Sequence, residues 1–154
     1  MPETLPDRLE AGTPNVPGIS GLLEGLRFVE QKQTEQIRYH EQRLLRRLVN
    51  GLSVIPGIRH FAAEDIGLQT GVLSFLIDGV DCEVAAEALG KKGVSLRAGL
   101  HCAPLAHESV GTISTGTIRA SFSMFNTERE VDQCLCILEH TGRKLRKGGT
   151  SLPQ

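Results

Sequence analysis

The chain has 154 residues, of which 40% are hydrophobic and 23% are charged, and its formal net charge is -1. This composition is typical of a globular domain with an apolar core, and the near-neutral charge argues against a broad attraction to nucleic acid. Aromatic residues make up 4% and tryptophan is absent, which argues against a stacking surface for single strands. No apolar run approaches the ~20 residues of a membrane span.

The first residues lack the basic and apolar regions of a signal peptide, so we expect a cytoplasmic location. Cysteines are sparse for a chain of this length, which indicates reduced thiols and not a disulfide scaffold. The four cysteines are Cys82, Cys102, Cys134 and Cys136.

An irregular segment over residues 1–16 precedes the first predicted helix. Asn15 is a suitable N-cap, and Pro17 suits a first helical turn. Apolar residues then recur at helical spacing: Ile19, Leu22, Leu23, Leu26 and Val29. Another stripe holds three glycines: Gly18, Gly21 and Gly25. Because glycine is unfavourable inside a helix, this stripe predicts that a second backbone packs closely against it.

A second helix is predicted to begin at a Thr34 cap and to stop at Asn50-Gly51. Its apolar positions include Leu44, Leu45, Leu48 and Leu52. Arginines on its other face are interrupted by glutamates, which favours a solvated surface over a nucleic-acid site.

Beyond Pro56 the sequence predicts short strands alternating with helices. The predicted strands cover 58–61, 72–77, 94–97 and a last stretch in which Ile118, Ala120, Phe122 and Met124 share one face. The remaining predicted elements are a helix over 81–92 capped by Asp81, a polar loop over 99–116, a helix from a Thr127–Glu130 capping box to about Leu145, and a flexible tail over 147–154. The order indicates an α+β domain over residues 17–146, with a mixed or antiparallel sheet of about four strands covered by helices.

The predicted loop over 99–116 is long enough to indicate a functional role, and it carries Cys102. A thiol that is exposed and close to positive charge becomes a nucleophile, whereas a lone loop cysteine is commonly inert. His101 raises the alternative of a Cys–His nucleophile, although adjacent side chains of an extended chain diverge. A zinc site of His101, Cys102 and His107 is a further alternative that lacks an evident fourth ligand.

Other candidate residues have ordinary explanations. Cys134 and Cys136 lie two apart on a predicted helix and do not face each other, so core packing accounts for both. The helix dipole at Cys82 favours a lowered pKa. Arg119 is suited either to a carboxylate ligand or to a surface ion pair, and the turn before the first helix is suited either to phosphate or to simple capping.

Three segments resemble one family when they are taken together. Arg97-Ala98-Gly99-Leu100-His101-Cys102-Ala103-Pro104 is similar to the active-site segment of the group II cysteine desulfurases and selenocysteine lyases. Leu9-Glu10-Ala11-Gly12-Thr13-Pro14-Asn15 resembles the segment that opens their C-terminal half. Thr117-Ile118-Arg119-Ala120-Ser121 resembles their substrate-carboxylate strand. These enzymes are class V aminotransferases, which bind pyridoxal phosphate and have fold type I, so the resemblance implies the small C-terminal domain of that fold.

The resemblance implies a role for each matching residue. Cys102 would take the sulfur of L-cysteine as a persulfide, leaving L-alanine, and Arg119 would pair with the substrate carboxylate. Arg97 would lie at the mouth of the site. Gly12 and Thr13 would belong to the cofactor site, with Thr13 reaching the phosphate of a neighbouring subunit, which implies a homodimer. Sulfur metabolism and iron–sulfur cluster assembly follow as the expected context, with an unidentified acceptor protein.

One feature of the family is absent from the sequence. The family binds its cofactor through a lysine in a Ser-x-His-Lys segment, and none of the five lysines here lies in such a context: Lys32, Lys91, Lys92, Lys144 and Lys147. We therefore expect the chain alone to be inactive. The alternatives are a non-enzymatic sulfur carrier or interaction module, a non-functional fragment, and, within the family, a selenocysteine lyase or another class V lyase.

Overall fold

The computed structural model describes residues 3–9 and 12–147. The chain divides into two compact units, residues 1–36 and 37–154. Most of the predicted tail lies outside the described residues, and Lys147, its first residue, belongs to the last helix. No helix among the described residues is both long and apolar enough to cross a membrane.

The first unit contains a short 3₁₀ turn, Asp7–Leu9, and helix α1, Val16–Lys32. Asn15 caps α1 as predicted, because its side-chain oxygen accepts the N–H of Gly18 at 3.1 Å. No residue of α1 is buried. A Cβ atom added at Gly21 or Gly25 would meet no described atom within 4 Å, so the predicted close backbone is not found within the described chain.

Helix α2, Thr34–Ser53, buries the predicted leucines of its apolar face. The helix begins at Thr34 itself, whose hydroxyl contacts Glu35. The predicted stop at Asn50-Gly51 was wrong, since the helix continues to Ser53. A side chain at Gly51 would collide with Leu135, so this glycine lets α2 approach the last helix closely instead of ending α2.

A four-stranded antiparallel sheet forms the centre of the second unit. Its spatial order is β1, β2, β4, β3. The strands are β1 (Ile58–Phe61), β2 (Val72–Ile77), β3 (Arg97–Gly99) and β4 (Thr117–Ser121). The bounds of β1 and β2 were predicted correctly, and the α+β class with about four strands is confirmed.

The third strand was predicted three residues too early. The N–H of Val94 donates to the carbonyl of Leu89 at the end of α3 (Cys82–Gly90). This contact keeps residues 94–96 against α3, and pairing with β4 begins only at Arg97. The strand β4 is also shorter than its alternating pattern: it ends at Ser121, although the N–H of Phe122 still donates to the carbonyl of Gly71 in the same register.

One face of the sheet is covered by α2, α3 and α5 (Glu128–Lys147). Leu73, Phe75 and Ile118 point into this core and are no more than 1% exposed. Because strand side chains alternate between faces, Ser74 and Arg119 lie on the opposite face. The helical layer therefore fixes which side of the sheet remains for other groups.

The segment between β3 and β4 is more ordered than predicted. It contains a short helix, α4 (Pro104–Ser109), where an irregular loop over 99–116 was expected. Pro104 stands in the first turn of α4, where its fixed φ angle favours a helix start. The segment therefore places Cys102 just before a helix.

Candidate functional site

Cys102 lies in a tight turn at the end of β3. The N–H of Ala103 donates to the carbonyl of Leu100 at 2.9 Å, and the two central residues have positive φ angles, 52° for His101 and 58° for Cys102. This is the pattern of a type I′ turn. Non-glycine residues in this region cost roughly 1–2 kcal/mol each, so surrounding contacts have to hold the turn. The Cys102 thiol is free and exposed.

The imidazole of His101 attaches this turn to the first residue of β4. Its Nε2 atom is 3.1 Å from the carbonyl oxygen of Thr117. A carbonyl only accepts hydrogen bonds, so in the neutral ring Nε2 carries the hydrogen and Nδ1 is the acceptor.

Burial is the main cause that lowers the pKa of His101 from its ordinary value. The bond to Thr117 opposes this shift, while the positive charges of Arg119, His107 and Arg97 reinforce it. The ring is therefore held in its neutral form near physiological pH.

Arg97 and Arg119 stand directly opposite each other in the β3–β4 pairing. Opposed residues of an antiparallel pair project from the same face, so both guanidinium groups lie on the side away from the helical core. Within the described ranges, neither arginine forms an ion pair with a carboxylate. The Nε atom of Arg119 is buried and has no hydrogen-bond partner there. Two cationic groups without an acidic partner form a suitable site for a carboxylate.

The thiol turn and the arginine pair lie at the same end of the sheet. His101 links them, because its ring bonds β4 while the charges of Arg97 and Arg119 act on it, and Cys102 is the next residue. The structure thus pairs Arg97 with Arg119 and places Cys102 in the turn that follows β3, with the thiol at the surface and Arg119 on the open face.

The predicted cofactor residues Gly12 and Thr13 belong to the other unit. Gly12 has a φ angle of 97°, which favours glycine, and Thr13 is exposed just before the cap of α1. Glu10 and Ala11 of the same motif lie outside the described residues. The role of Gly12 and Thr13 stays a prediction.

The other thiols differ from Cys102 in their surroundings. Cys82 is buried, and burial raises its pKa, so the predicted lowering by the helix dipole was wrong. Burial also raises the pKa of Cys134 to about 11. Cys136 is exposed, so core packing accounts for Cys134 and not for Cys136, because residues two apart point to different sides of a helix.

The sequence suggests only a zinc-ligand role for His107. Within the part of the chain that the structure describes, no group of three or more His, Cys, Asp or Glu side chains is placed to hold a metal ion. Instead the Nδ1 atom of His107 lies 2.8 Å from the hydroxyl of Thr112, and both residues are buried. No motif in the sequence marks this pair, although its members are only five residues apart at the end of α4.

Comparisons with known proteins agree with the motifs. A family model described as aminotransferase class-V matches residues 2–134. A probable cysteine desulfurase 1 from Mycobacterium leprae is 35% identical over 96% of this chain and 23% of its own length. The cysteine desulfurase CsdA from Escherichia coli is 36% identical over 84% of this chain and 31% of its own length.

Solved structures give the same result for the fold. An apo cysteine desulfurase from Thermococcus onnurineus matches with a TM-score of 0.81 and 32% identity, over 91% of this chain and 34% of that one. The S-sulfonic acid form of CsdA matches with a TM-score of 0.78 and 33% identity, over 91% of this chain and 34% of that one. The chain thus spans about a quarter to a third of the relatives it matches. The family match over most of the sequence shows that the chain belongs to the aminotransferase class-V family.

Proposed function

We propose that this chain is the substrate-gripping and sulfur-accepting portion of a cysteine desulfurase. The observation that carries the proposal is the exposed Cys102 thiol on a tight turn beside the Arg97–Arg119 pair. The relatives named as cysteine desulfurases support it. The complete enzyme would be a homodimer acting on L-cysteine.

Each residue has a defined task in this reaction. Arg119, with Arg97 beside it, binds the α-carboxylate of L-cysteine through charge-assisted hydrogen bonds. Cys102 attacks the substrate sulfur as a thiolate, the nucleophilic form of a cysteine. A new S–S bond forms while the substrate C–S bond breaks. The electron pair of that bond stays with the substrate carbon, which takes up a proton to give alanine, and the persulfide remains on Cys102.

Pyridoxal phosphate, which the family implies, supplies the electron-accepting chemistry when it is bound. The residues around Cys102 do not fit its covalent attachment, because thiol, imidazole and guanidinium groups form this site. In the second unit, the described lysines lie at the end of α3 or on α5, on the other side of the sheet, and Lys91 pairs with Glu87 at 2.6 Å. A polypeptide segment outside these 154 residues would have to supply the cofactor lysine.

Two alkylating reagents of similar size test the proposal on the chain itself. Iodoacetate carries a carboxylate and iodoacetamide does not, so the rate ratio at each thiol reports a nearby carboxylate site. We expect iodoacetate to react at Cys102 with saturation and to be favoured there relative to Cys136, which is also exposed. Cys134 should react slowest of these three, since its pKa is about 11 and the thiolate is the reacting form. Peptide mass spectrometry assigns the rates.

Substitution of Arg119 provides the decisive comparison. Arg119→Met should raise the half-saturating iodoacetate concentration by about tenfold or more, because hydrogen bonds to charged groups contribute about 1.5–3 kcal/mol. Arg129→Met is the matched control, since Arg129 is exposed on α5 and should leave the value unchanged. Equal reagent ratios at Cys102 and Cys136, or no effect of Arg119→Met, would contradict the proposal.

A further inference from the structure

We propose that His107 is a positioning residue for Cys102, an inference that rests on the proposed function. The buried imidazole of His107, fixed by Thr112 and lying beside the ring of His101, holds the left-handed turn that presents the thiol to the arginine pair. His107 acts through His101 and the turn, and it touches neither the substrate nor the sulfur.

His107 and Thr112 form a buried contact. His107 is 6% exposed and Thr112 is 0% exposed. Their side chains are joined at 2.8 Å between Nδ1 and Oγ1, and the N–H of Thr112 donates to the carbonyl of His107, also at 2.8 Å. The carbonyl of Thr112 in turn accepts the N–H of Gly116 at 2.9 Å, one residue before β4. The pair therefore attaches the end of α4 to the start of β4.

His107 also lies next to the turn that contains Cys102. Its ring lies 6.1 Å from that of His101, measured between centroids, with an angle of 42° between the planes. The ring of His101 is bonded on its other side to the carbonyl of Thr117, and the N–H of His107 donates to the carbonyl of Ala103 at 3.2 Å. Ala103 closes the turn through its own bond to Leu100. The ring of His107 thus lies next to one end of the segment that contains Cys102, and its backbone N–H is bonded to the other end.

The surroundings of His107 indicate more than simple packing. His107 lies on the open face of the sheet, where it lines a groove of about 240 Å³ together with Phe61, Val72, Ser74 and Thr117. Packing alone would not require a polar partner, whereas the Nδ1 atom of His107 is bonded to the Thr112 hydroxyl. Two consecutive residues with positive φ angles need several contacts to hold them, and the His107–Thr112 pair supplies a directional one next to them.

The test uses four variants of the full chain. His107→Leu keeps the volume and removes the hydrogen bond, and Thr112→Val removes only the hydroxyl partner. His107→Asn keeps a polar group near the position of Nδ1 and serves as the conservative rescue. Glu108→Gln is the matched control, because Glu108 is exposed on the same helix.

Two readouts are measured for each variant. Hydrogen exchange at the Ala103 amide reports the turn directly, and we expect it to accelerate about tenfold in His107→Leu and Thr112→Val. For iodoacetate at Cys102, the limiting rate should fall about tenfold in both variants while the half-saturating concentration stays unchanged. His107→Asn should recover most of both effects, and Glu108→Gln should match the wild type.

The two readouts keep this inference separate from the proposed function. If the wild type shows no saturation with iodoacetate, the proposed function fails, and Ala103 exchange still decides whether His107 holds the turn. Unchanged exchange in both variants overturns the inference. Accelerated exchange with an unchanged limiting rate at Cys102 also overturns it, because the thiol would then not depend on the turn. A rise in Cys134 labelling alongside these changes would indicate unfolding. That result would show that His107 has only a structural role, and it would contradict the proposed positioning role.

Discussion

At the scale of single residues, two side chains near Cys102 determine the charge of the site, Arg119 and His101. Arg119 has a buried Nε atom without a partner among the described residues, and the imidazole of His101 lies where burial and neighbouring cations oppose its protonation. Burial disfavours charge of either sign, so it is the neighbouring cations that favour an anionic group at this site. This arrangement agrees with the carboxylate role proposed for Arg119.

The lowered pKa of His101 predicts how stability changes with pH. Above its ordinary value of about 6.5 the ring is neutral in both folded and unfolded chains. As pH falls below that value, the unfolded chain takes up the proton more readily, so the folded state loses stability. His101→Asn should reduce this loss of stability, because it removes the ring that takes up the proton. Asparagine is the suitable replacement, since it tolerates a positive φ angle. Urea unfolding near pH 7.5 and pH 5.5 measures the difference.

The control for this prediction is His140→Asn, because His140 is exposed on α5. Its replacement reports the general effect of removing a histidine. Equal losses of stability in the wild type and in His101→Asn would show that His101 is not held neutral by its surroundings.

At the scale of elements, helix ends and helix pairs fix the layer behind the sheet. Arg47 on α2 bonds Asp132 on α5 at 2.6 Å and Glu128 at 3.3 Å. These bonds lower the pKa of Asp132 and raise that of Arg47.

At the start of α5, the N–H of Thr127 donates to Glu130 at 2.7 Å, and the N–H of Glu130 donates to the Thr127 hydroxyl at 3.3 Å. The predicted capping box is therefore present.

Removing this cap should destabilise the fold measurably. Thr127→Ala is expected to lower the free energy of unfolding by about 1 kcal/mol, the usual effect of losing a hydroxyl N-cap. Thr127→Ser keeps the hydroxyl and should stay close to the wild type. Urea denaturation gives the midpoint for each variant, and equal midpoints for the alanine and serine variants would contradict the cap.

At the scale of the whole molecule, the apolar face of α1 is unusual. The large hydrophobic residues on this face are each at least 38% exposed: Val16, Ile19, Leu22, Leu23, Leu26 and Val29. These positions form one stripe of a helix, whereas single exposed apolar residues such as Leu68 are ordinary. A contiguous exposed stripe of this kind marks a contact surface or an aggregation hazard.

This exposure predicts strong binding of a hydrophobic dye by the purified chain. A Leu22→Glu, Leu26→Glu double variant should lower the fluorescence of bound anilinonaphthalene sulfonate well below that of the wild type. Leu68→Glu, which removes one isolated exposed leucine, is the control and should change it little. If the double variant binds as much dye as the wild type, α1 does not present this face to solvent.

The sequence by itself determined what local physics controls. Alternating and helical apolar patterns placed β1, β2 and the helices α1, α2, α3 and α5, and side-chain caps placed the starts of α1, α3 and α5. The motif around Cys102 identified the family, because its residue types stand in a fixed order along the chain. These features depend on neighbours a few residues apart, so they are readable without the fold.

Only the tertiary structure decided the features that depend on distant segments. The start of β3 depends on its pairing with β4, which begins only at Arg97, and the need for glycine at position 51 depends on Leu135 of another helix. The position of Arg119 opposite Arg97 follows from the register of β3 and β4. Such contacts form between groups that the sequence does not place together, because chain folding alone brings them within reach.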